Sequence, residues 1–488
     1  MNMRLLSGAA AMLMLAACVN VPEDRGVSQS IALLKTRSSN AAAVQFNTTQ
    51  DMTELLSQSL DADGAVRVAL NRNARMQMLY AQLGMAQAEV YDASRLSNPS
   101  LGFMRLSADA GAQTTWTLTQ NFTELLFINY RTRLGRAQVL QAQQQLAQSV
   151  MDLEARVRSA YYQYVSARLI AQLHEQSNLA AQVAADYAQS LFNAGNISEL
   201  QLSREQAAAS RARIELQSAL NNAQQQQAAL LTLMGLSMQA SPAFIERLEV
   251  PVAQTLAVTS LQNWAAQQRV DLAMLHEQES LFGVMQSHTR HWFWLSDTAV
   301  QLEHERETDG EILRGAGGSV GLPIFNQGKG SRLRAQAQLE ATHAELKTLQ
   351  LTINNDVTAQ VDSLQRARLA VEEYRQRLVP LQERVLELSQ QQQNYMLIGA
   401  FELLNARREV LQSYQDYLAA TGDYWLQYVA LCKTVGGRLP DTAGESSAGI
   451  SVGVDELPGL SVATPTNEAH SESAQHTEHL HIHNGDAP

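Results

Sequence analysis

Three sets of side chains in this 488-residue sequence could do chemistry. The first is one cysteine. Arg4 supplies a positive charge, a short apolar run follows, and Leu13-Met14-Leu15-Ala16-Ala17 leads directly into Cys18. That order marks a secretory signal cut after Ala17, which leaves Cys18 as a free N-terminus open to acylation. The apolar run is too short to span a bilayer as a helix, which needs roughly 20 residues. The second set is Glu199 and Glu402, each shortly after a glycine turn, where a carboxylate complements the positive end of a helix. The third lies near the C-terminus. His476, His479, His481 and His483, with Glu478, can bind Cu²⁺, Ni²⁺ or Zn²⁺ through neutral imidazole. No ligand spacing there fixes a tetrahedron, so the cluster is not a structural zinc site.

Other reactive residue types form no constellation. His288 and His291 flank Trp292, Phe293 and Trp294, which read as an interfacial aromatic belt rather than as ligands. His174, His276 and His343 sit alone on helical stretches. No serine, histidine and aspartate share a strand-turn-helix context, so no catalytic site is expected. Cys432 is the other cysteine. With Cys18 acylated it has no partner, and there is no disulfide framework.

The elements that must position these residues are long helices. Aromatic residues make up 6% of the chain, there are 10 prolines, and Ala and Gln are abundant, which is the composition of rods rather than of a sandwich. A net charge of -12 argues against nucleic acid as a partner. One rod is expected from about 130 to 193, with Leu146, Val150, Leu153, Val157, Ala160, Tyr164 and Ala167 spaced by fours and threes. A second is expected from about 331 to 395, with Val371, Tyr374, Leu378, Leu381, Val385 and Leu388 spaced the same way. Both patterns suit knobs-into-holes packing. Pro380 should kink the second rod.

Each rod ends in a glycine turn and a returning helix. The turns contain Gly195 and Gly399, 204 residues apart, and glycine suits the left-handed position that closes a helix. Ser198 is placed to cap the helix after the first turn. Ahead of each rod lies strand-like material, at about 100–122 and about 293–325. In the second pair the acidic run Glu303 to Glu311 reads as a polar loop. Strands of ~9–11 residues cross a bilayer when tilted, and three copies of four strands would close a twelve-stranded barrel. No later stretch is long and apolar enough for a transmembrane helix, so any crossing must be a closed barrel.

Two resemblances sharpen this reading. Leu15-Ala16-Ala17-Cys18 resembles a bacterial lipobox, and Val19 in place of Asp favours the outer membrane by comparison with other lipoproteins. Across about 50–437 the chain resembles the TolC family of outer-membrane efflux channels. The shared pieces are Asn98-Pro99-Ser100-Leu101 before the first hairpin, Gly321-Leu322-Pro323-Ile324-Phe325-Asn326-Gln327-Gly328 after the second, Val379-Pro380-Leu381 within a rod, and the two glycine turns. Asn121 to Phe127 lacks the proline and glycine pair of its counterpart, so the first strand-to-helix junction should be shaped differently. The resemblance implies a mainly α fold with internal duplication: a long coiled-coil α-barrel joined to a small transmembrane β-barrel, four strands per protomer and twelve in a homotrimer. It implies a periplasmic adaptor and an inner-membrane pump as partners, and no covalent chemistry. It places Gly195, Ser198, Gly399 and Phe401 on an adaptor-docking tip and makes Glu199 and Glu402 a cation ring at the entrance.

The expected organisation is a signal at 1–17 and a lipidated extended segment at 18–60. Two repeats follow at 61–240 and 241–437, then a disordered acidic tail at 438–488. The expected location is the outer membrane, with the lipid on Cys18 as the only added group. The second turn, Tyr395 to Leu404, looks most like the heavy-metal branch, the CusC and CzcC types, and the tail histidines point the same way. Transition-metal cations are therefore the expected cargo. The alternatives are drug or small-toxin efflux, a type I secretion outlet, or a periplasmic coiled-coil scaffold.

Overall fold

The computed structural model describes residues 26–35, 37–38, 54–109, 111–121, 123–240, 242–251, 256–291, 298–321, 324–325, 327–440, 451–454 and 457. In chain order the elements are α1 (Val27–Leu34), α2 (Ala62–Arg72), α3 (Ala74–Ala93), β1 (Ser100–Ala108), β2 (Gly111–Asn121), α4 (Thr123–Asn193) and α5 (Glu199–Met234). Then come β3 (Leu248–Glu249), α6 (Val258–Gln268), α7 (Val270–His291), β4 (Thr298–Arg306), β5 (Ile312–Val320) and α8 (Lys329–Glu373). A π-helical segment (Tyr374–Leu378), α9 (Val379–Asn394), α10 (Ala400–Thr434) and β6 (Ser451–Val452) complete the chain.

The first rod is longer than its periodicity indicated, and the second spans 329–394, close to the expected range. α4 has 71 residues, so at 1.5 Å per residue it runs about 105 Å. All seven seam residues from Leu146 to Ala167 are buried. Six of them share one core, near the middle of the rods, with residues of α2 (Val66, Val68), α8 (Val357, Val361) and α10 (Tyr414, Leu418), while Ala167 clusters with Ala171 and with Ala223 of α5. Each Leu or Val among them contributes roughly 1.5–3 kcal/mol on burial. α10 reaches α4 closely because position 422 is glycine: a Cβ there would stand 2.7 Å from Ser166 Oγ.

In the second rod the seam is buried only in its upper part. Val371 is buried, whereas Leu378, Leu381, Val385 and Leu388 are exposed. The expected interruption at Pro380 takes the form of the π segment just before it. The Val379 N–H donates to the Tyr374 carbonyl, five residues back. The wider turn accommodates the proline ring, which would press on the carbonyl four residues back in a regular helix.

β1, β2, β4 and β5 form one antiparallel sheet in that order, with β1 and β5 at its open edges. Neither edge has a strand partner among the described residues. The first four residues of the acidic stretch expected as a loop are strand. Glu303 to Arg306 belongs to β4, and about 307–311 turns. In a sheet with one wet face, alternate charged residues are compatible with a strand.

Within both terminal segments some described residues form elements that were not expected. α1 forms inside the segment expected to be extended, and it buries Val27, Ile31 and Leu34. In the segment expected to be disordered, β6 pairs with β3, Leu248 opposite Val452, and Val452 and Leu457 join the core. The acidic Ser/Thr composition around them masks this short apolar stretch.

Candidate functional site

The far ends of the rods form two helix–turn–helix tips. In the first, the Asn196 N–H donates to the Leu191 carbonyl and the Gly195 N–H to the Phe192 carbonyl, both at 2.9 Å. Gly195 takes the left-handed conformation, φ +74°. In the second, the Leu397 N–H donates to the Gln392 carbonyl and the Met396 N–H to the Gln393 carbonyl, both at 2.9 Å. The left-handed residue here is Met396, φ +58°, the only non-glycine with positive φ among the described residues. Gly399 is extended instead and occupies the N-cap of α10, as Ser198 does for α5. The hydrogen bonds therefore align Gly195 with Met396 and Ser198 with Gly399. The repeat offset at the tips is 201 residues, not the 204 obtained by matching glycine to glycine.

This alignment separates the two glutamates. Glu199 is the first residue of α5, and Glu402 is the third of α10, so they are not equivalent positions. Both are exposed in the first turn of their helices. The Ser198 hydroxyl accepts the Gln201 N–H at 3.3 Å, which satisfies one of the otherwise unpaired donors of α5. Phe401 meets Tyr187 of α4 with ring centroids 6.0 Å apart, so the two tips touch. Beside Phe401 the second tip exposes Tyr395, Met396 and Leu397, with Met396 92% exposed.

Sequence reading missed two ties. Glu205 of α5 is buried, accepts from Gln201 Nε2 at 3.0 Å, and lies 3.7 Å from an Arg408 guanidinium nitrogen on α10. No local motif marks that pair, because its members come from different repeats. His276 and His343, expected to be solitary, converge on Glu279: His343 Nε2 is 2.9 Å from one carboxylate oxygen and His276 Nδ1 is 3.5 Å from the other. The hydrogen bond from His343, then that from His276, holds the Glu279 carboxyl below its usual range despite some opposing desolvation. The spacing of His276 and Glu279, three apart on a helix, was the available signal. Among the described residues no group of three His, Cys, Asp or Glu is arranged to hold a metal ion. Cys18 and His476, His479, His481 and His483 lie outside the described residues, as do Trp292, Phe293 and Trp294.

At the opposite end, the sheet has two distinct faces. Cross-strand partners share a face, so Leu101 and Leu302 flank Leu118 on one side, where Phe103 meets Trp116 with centroids 4.6 Å apart. These five are all exposed in the protomer, and towards the hairpins the same face carries His304 beside Trp116, then Arg314, Arg105 and Arg306. The other face carries Thr115 beside Glu305 and Thr117 beside Glu303. Gln113 Nε2 bonds the Glu305 carboxylate, and Gly315 and Gly317 extend this face on β5. The two strand-to-helix junctions differ, as the missing proline and glycine pair implied. At the first, Asn121 Oδ1 accepts the Thr123 N–H, and Thr123 Oγ1 accepts the Thr298 N–H. At the second, Gly328 sits left-handed at the start of α8, φ +71°.

An apolar-faced, edge-open sheet on two duplicated rods defines a class: long α-helical proteins with a small sheet suited to a shared barrel. Residues 65–236 match the family model described as outer membrane efflux protein. That segment is similar to outer membrane efflux proteins. Comparison with curated proteins gives no significant match. Solved structures share the fold well beyond that segment. A membrane protein from Pseudomonas aeruginosa is 17% identical with a TM-score of 0.65, covering 78% of this chain and 94% of its own. The CmeC outer membrane channel of Campylobacter jejuni is 14% identical with a TM-score of 0.62, covering 88% and 96%. CusC, described in connection with transmembrane channel formation, is 14% identical with a TM-score of 0.61, covering 78% and 94%.

Proposed function

We propose that this protein is the outer-membrane channel of a tripartite efflux system. Three copies share one twelve-stranded barrel, and a periplasmic adaptor and an inner-membrane pump engage the tips. The observation that carries this reading is the sheet: one apolar face, one polar face, two open edges, and strands of 9–11 residues that match a tilted bilayer crossing. A periplasmic scaffold would have no use for an exposed Leu101, Phe103, Trp116, Leu118 and Leu302 on one surface. The protein performs no covalent chemistry and passes its cargo by diffusion. Reconstitution in a planar bilayer tests the reading. Discrete conductance steps from folded trimers are expected, and intact trimers that never conduct would overturn it.

Cys18 is proposed as the acylated mature N-terminus and the only covalent addition. Several acyl chains together with a barrel make anchoring effectively permanent. Mass spectrometry of the mature N-terminus checks this, and an unmodified Cys18 contradicts it.

The proposed cargo is transition-metal cations. Support comes from the second tip, Tyr395 to Leu404, and separately from the four tail histidines. Growth of a deletion strain across copper, zinc, nickel and cobalt, and across dyes, detergents and antibiotics, decides the matter. Sensitivity to the organic compounds alone would favour drug or small-toxin efflux and leave the channel reading intact.

A further inference from the structure

We propose that the rod-side end of the sheet carries a binding site for anionic glycerophospholipid headgroups, built from Arg133 and Arg136 on α4 and Lys329, Arg332 and Arg334 on α8. The inference rests on the outer-membrane reading and adds the lipid class and the leaflet.

Charge along the sheet changes sign from end to end. A nine-residue strand covers about 30 Å at ~3.3 Å per residue, close to the thickness of a hydrocarbon core. The hairpin end carries Asp109, Glu303, Glu305, Glu307, Asp309 and Glu311 against Arg105, Arg306 and Arg314, a net acidic balance. At the rod end, Arg133 and Arg136 lie within the first four turns of α4, and Lys329, Arg332 and Arg334 within the first two turns of α8. All five are exposed and have no carboxylate partner among the described residues. This is unexpected by composition, because the chain holds 48 acidic residues against 36 Lys and Arg. Counter-charges must therefore come from outside the protomer, and the phosphates of an anionic leaflet supply them.

Apolar groups flank Lys329, Arg332 and Arg334 along the chain. Phe325 is fully exposed, and Ile324 and Leu333 are largely so. An exposed aromatic beside basic residues suits the boundary between acyl chains and headgroups. A cleft of about 280 Å³ also opens between α4 and α7. Its wall holds Leu134, Leu140, Leu281 and Val284, and Arg133 and Arg136 line it too, with Glu277 its one carboxylate. Apolar wall and basic groups together match a lipid with a phosphate head.

The test uses full-length protein reconstituted in vesicles of phosphatidylcholine with phosphatidylglycerol, then gently extracted. Native mass spectrometry counts the lipids that each trimer keeps. Wild type should enrich phosphatidylglycerol over phosphatidylcholine by about tenfold or more, given the gain per basic group near an anionic surface. R133Q/R136Q/K329Q/R332Q/R334Q should fall to near parity, whereas R211Q/R213Q, on the exposed face of α5, should match wild type. If the fivefold variant does not fold, R133Q/R136Q and K329Q/R332Q/R334Q separately should each lower the enrichment. Equal retention of both lipids by wild type, unchanged enrichment in the variants, or a preference for lipid A phosphates would overturn the proposal. Protein that enters vesicles but shows no lipid preference sinks only this inference, whereas protein that enters no vesicle contradicts the channel reading beneath it.

Discussion

Arg408 on α10 lies 3.7 Å from the buried carboxylate of Glu205 on α5, and this contact ties the helices that return from the two tips. A buried carboxylate that loses its partner keeps its desolvation cost, about 1–3 kcal/mol. Arg408 is partly exposed, so the lower end of that range applies. Arg408→Ala should therefore loosen the tip. In planar bilayers the resting conductance should rise, while the barrel and its insertion stay unchanged. Conductance equal to wild type would show that the pair is only a surface contact.

Gly195 and Met396 hold the same place in two turns, yet only one is suited to it. An L-residue with a side chain pays roughly 1–2 kcal/mol in the left-handed region. Nothing lies within 4 Å of a Cβ built on Gly195, so Gly195→Ala meets no clash and should cost about 1 kcal/mol from φ alone. Met396→Gly should stabilise its turn by a similar amount. Amide hydrogen exchange at Asn196 and Leu397 reads both effects: faster in the first variant, slower in the second. Matching rates in variant and parent would contradict the strain assignment.

Glu199 and Glu402 are proposed to ring the entrance in the trimer. Three carboxylates at each level concentrate cations in a narrow polar pore. Because one is the first residue of its helix and the other the third, the two rings stand at different depths. Glu199→Gln and Glu402→Gln should each lower cation selectivity, and the double variant should lower it most. If selectivity and block by multivalent cations both persist in the double variant, the residues only complement the helix dipole.

The Cys432 thiol is pushed up to about 11, chiefly by burial, against an ordinary value of 9.0. The thiolate is the reactive form, so Cys432 should resist maleimide at pH 8 in the folded protein and react once the protein is unfolded. Linkage gives the sign of its effect on stability. The fold favours the protonated thiol, so this contribution is complete below pH 9 and is lost as pH rises from 9 towards 11. Cys432→Ala should flatten that alkaline decline. Fast labelling of the native protein would contradict the burial.

Much of the architecture was legible in sequence because it rests on local periodicity. The 3.5-residue seam of Leu146 to Ala167 marks α4 directly, and the alternation of Thr115, Thr117 and Thr119 with Trp116 and Leu118 marks β2. Failures arose where local composition misleads. Glu303 and Glu305 look like loop residues until the polar face of the sheet is known. Val452 and Leu457 are hidden in acidic surroundings until β3 gives the segment a partner. Matching Gly195 to Gly399 was natural from residue type, but backbone hydrogen bonds set the equivalence, and a methionine occupies the second glycine's expected place. The tie between Glu205 and Arg408 could not be read at all, because 203 residues separate its members.

The π segment ahead of Pro380 has a further consequence. One extra residue in a helical turn rotates everything beyond it by about 100° around the rod axis. Val361, Leu364 and Val371 lie before the insertion and face the core of their own protomer. Leu381, Val385 and Leu388 lie beyond it at the same heptad spacing, yet they are exposed. The phase jump has turned a single apolar stripe away from its own chain and towards the flank, where a neighbouring copy would stand. The rod thus changes face partway along: beyond the insertion Val379 and Leu386 keep it on the core of its own protomer, while Leu381, Val385 and Leu388 are left to engage, or release, the next copy.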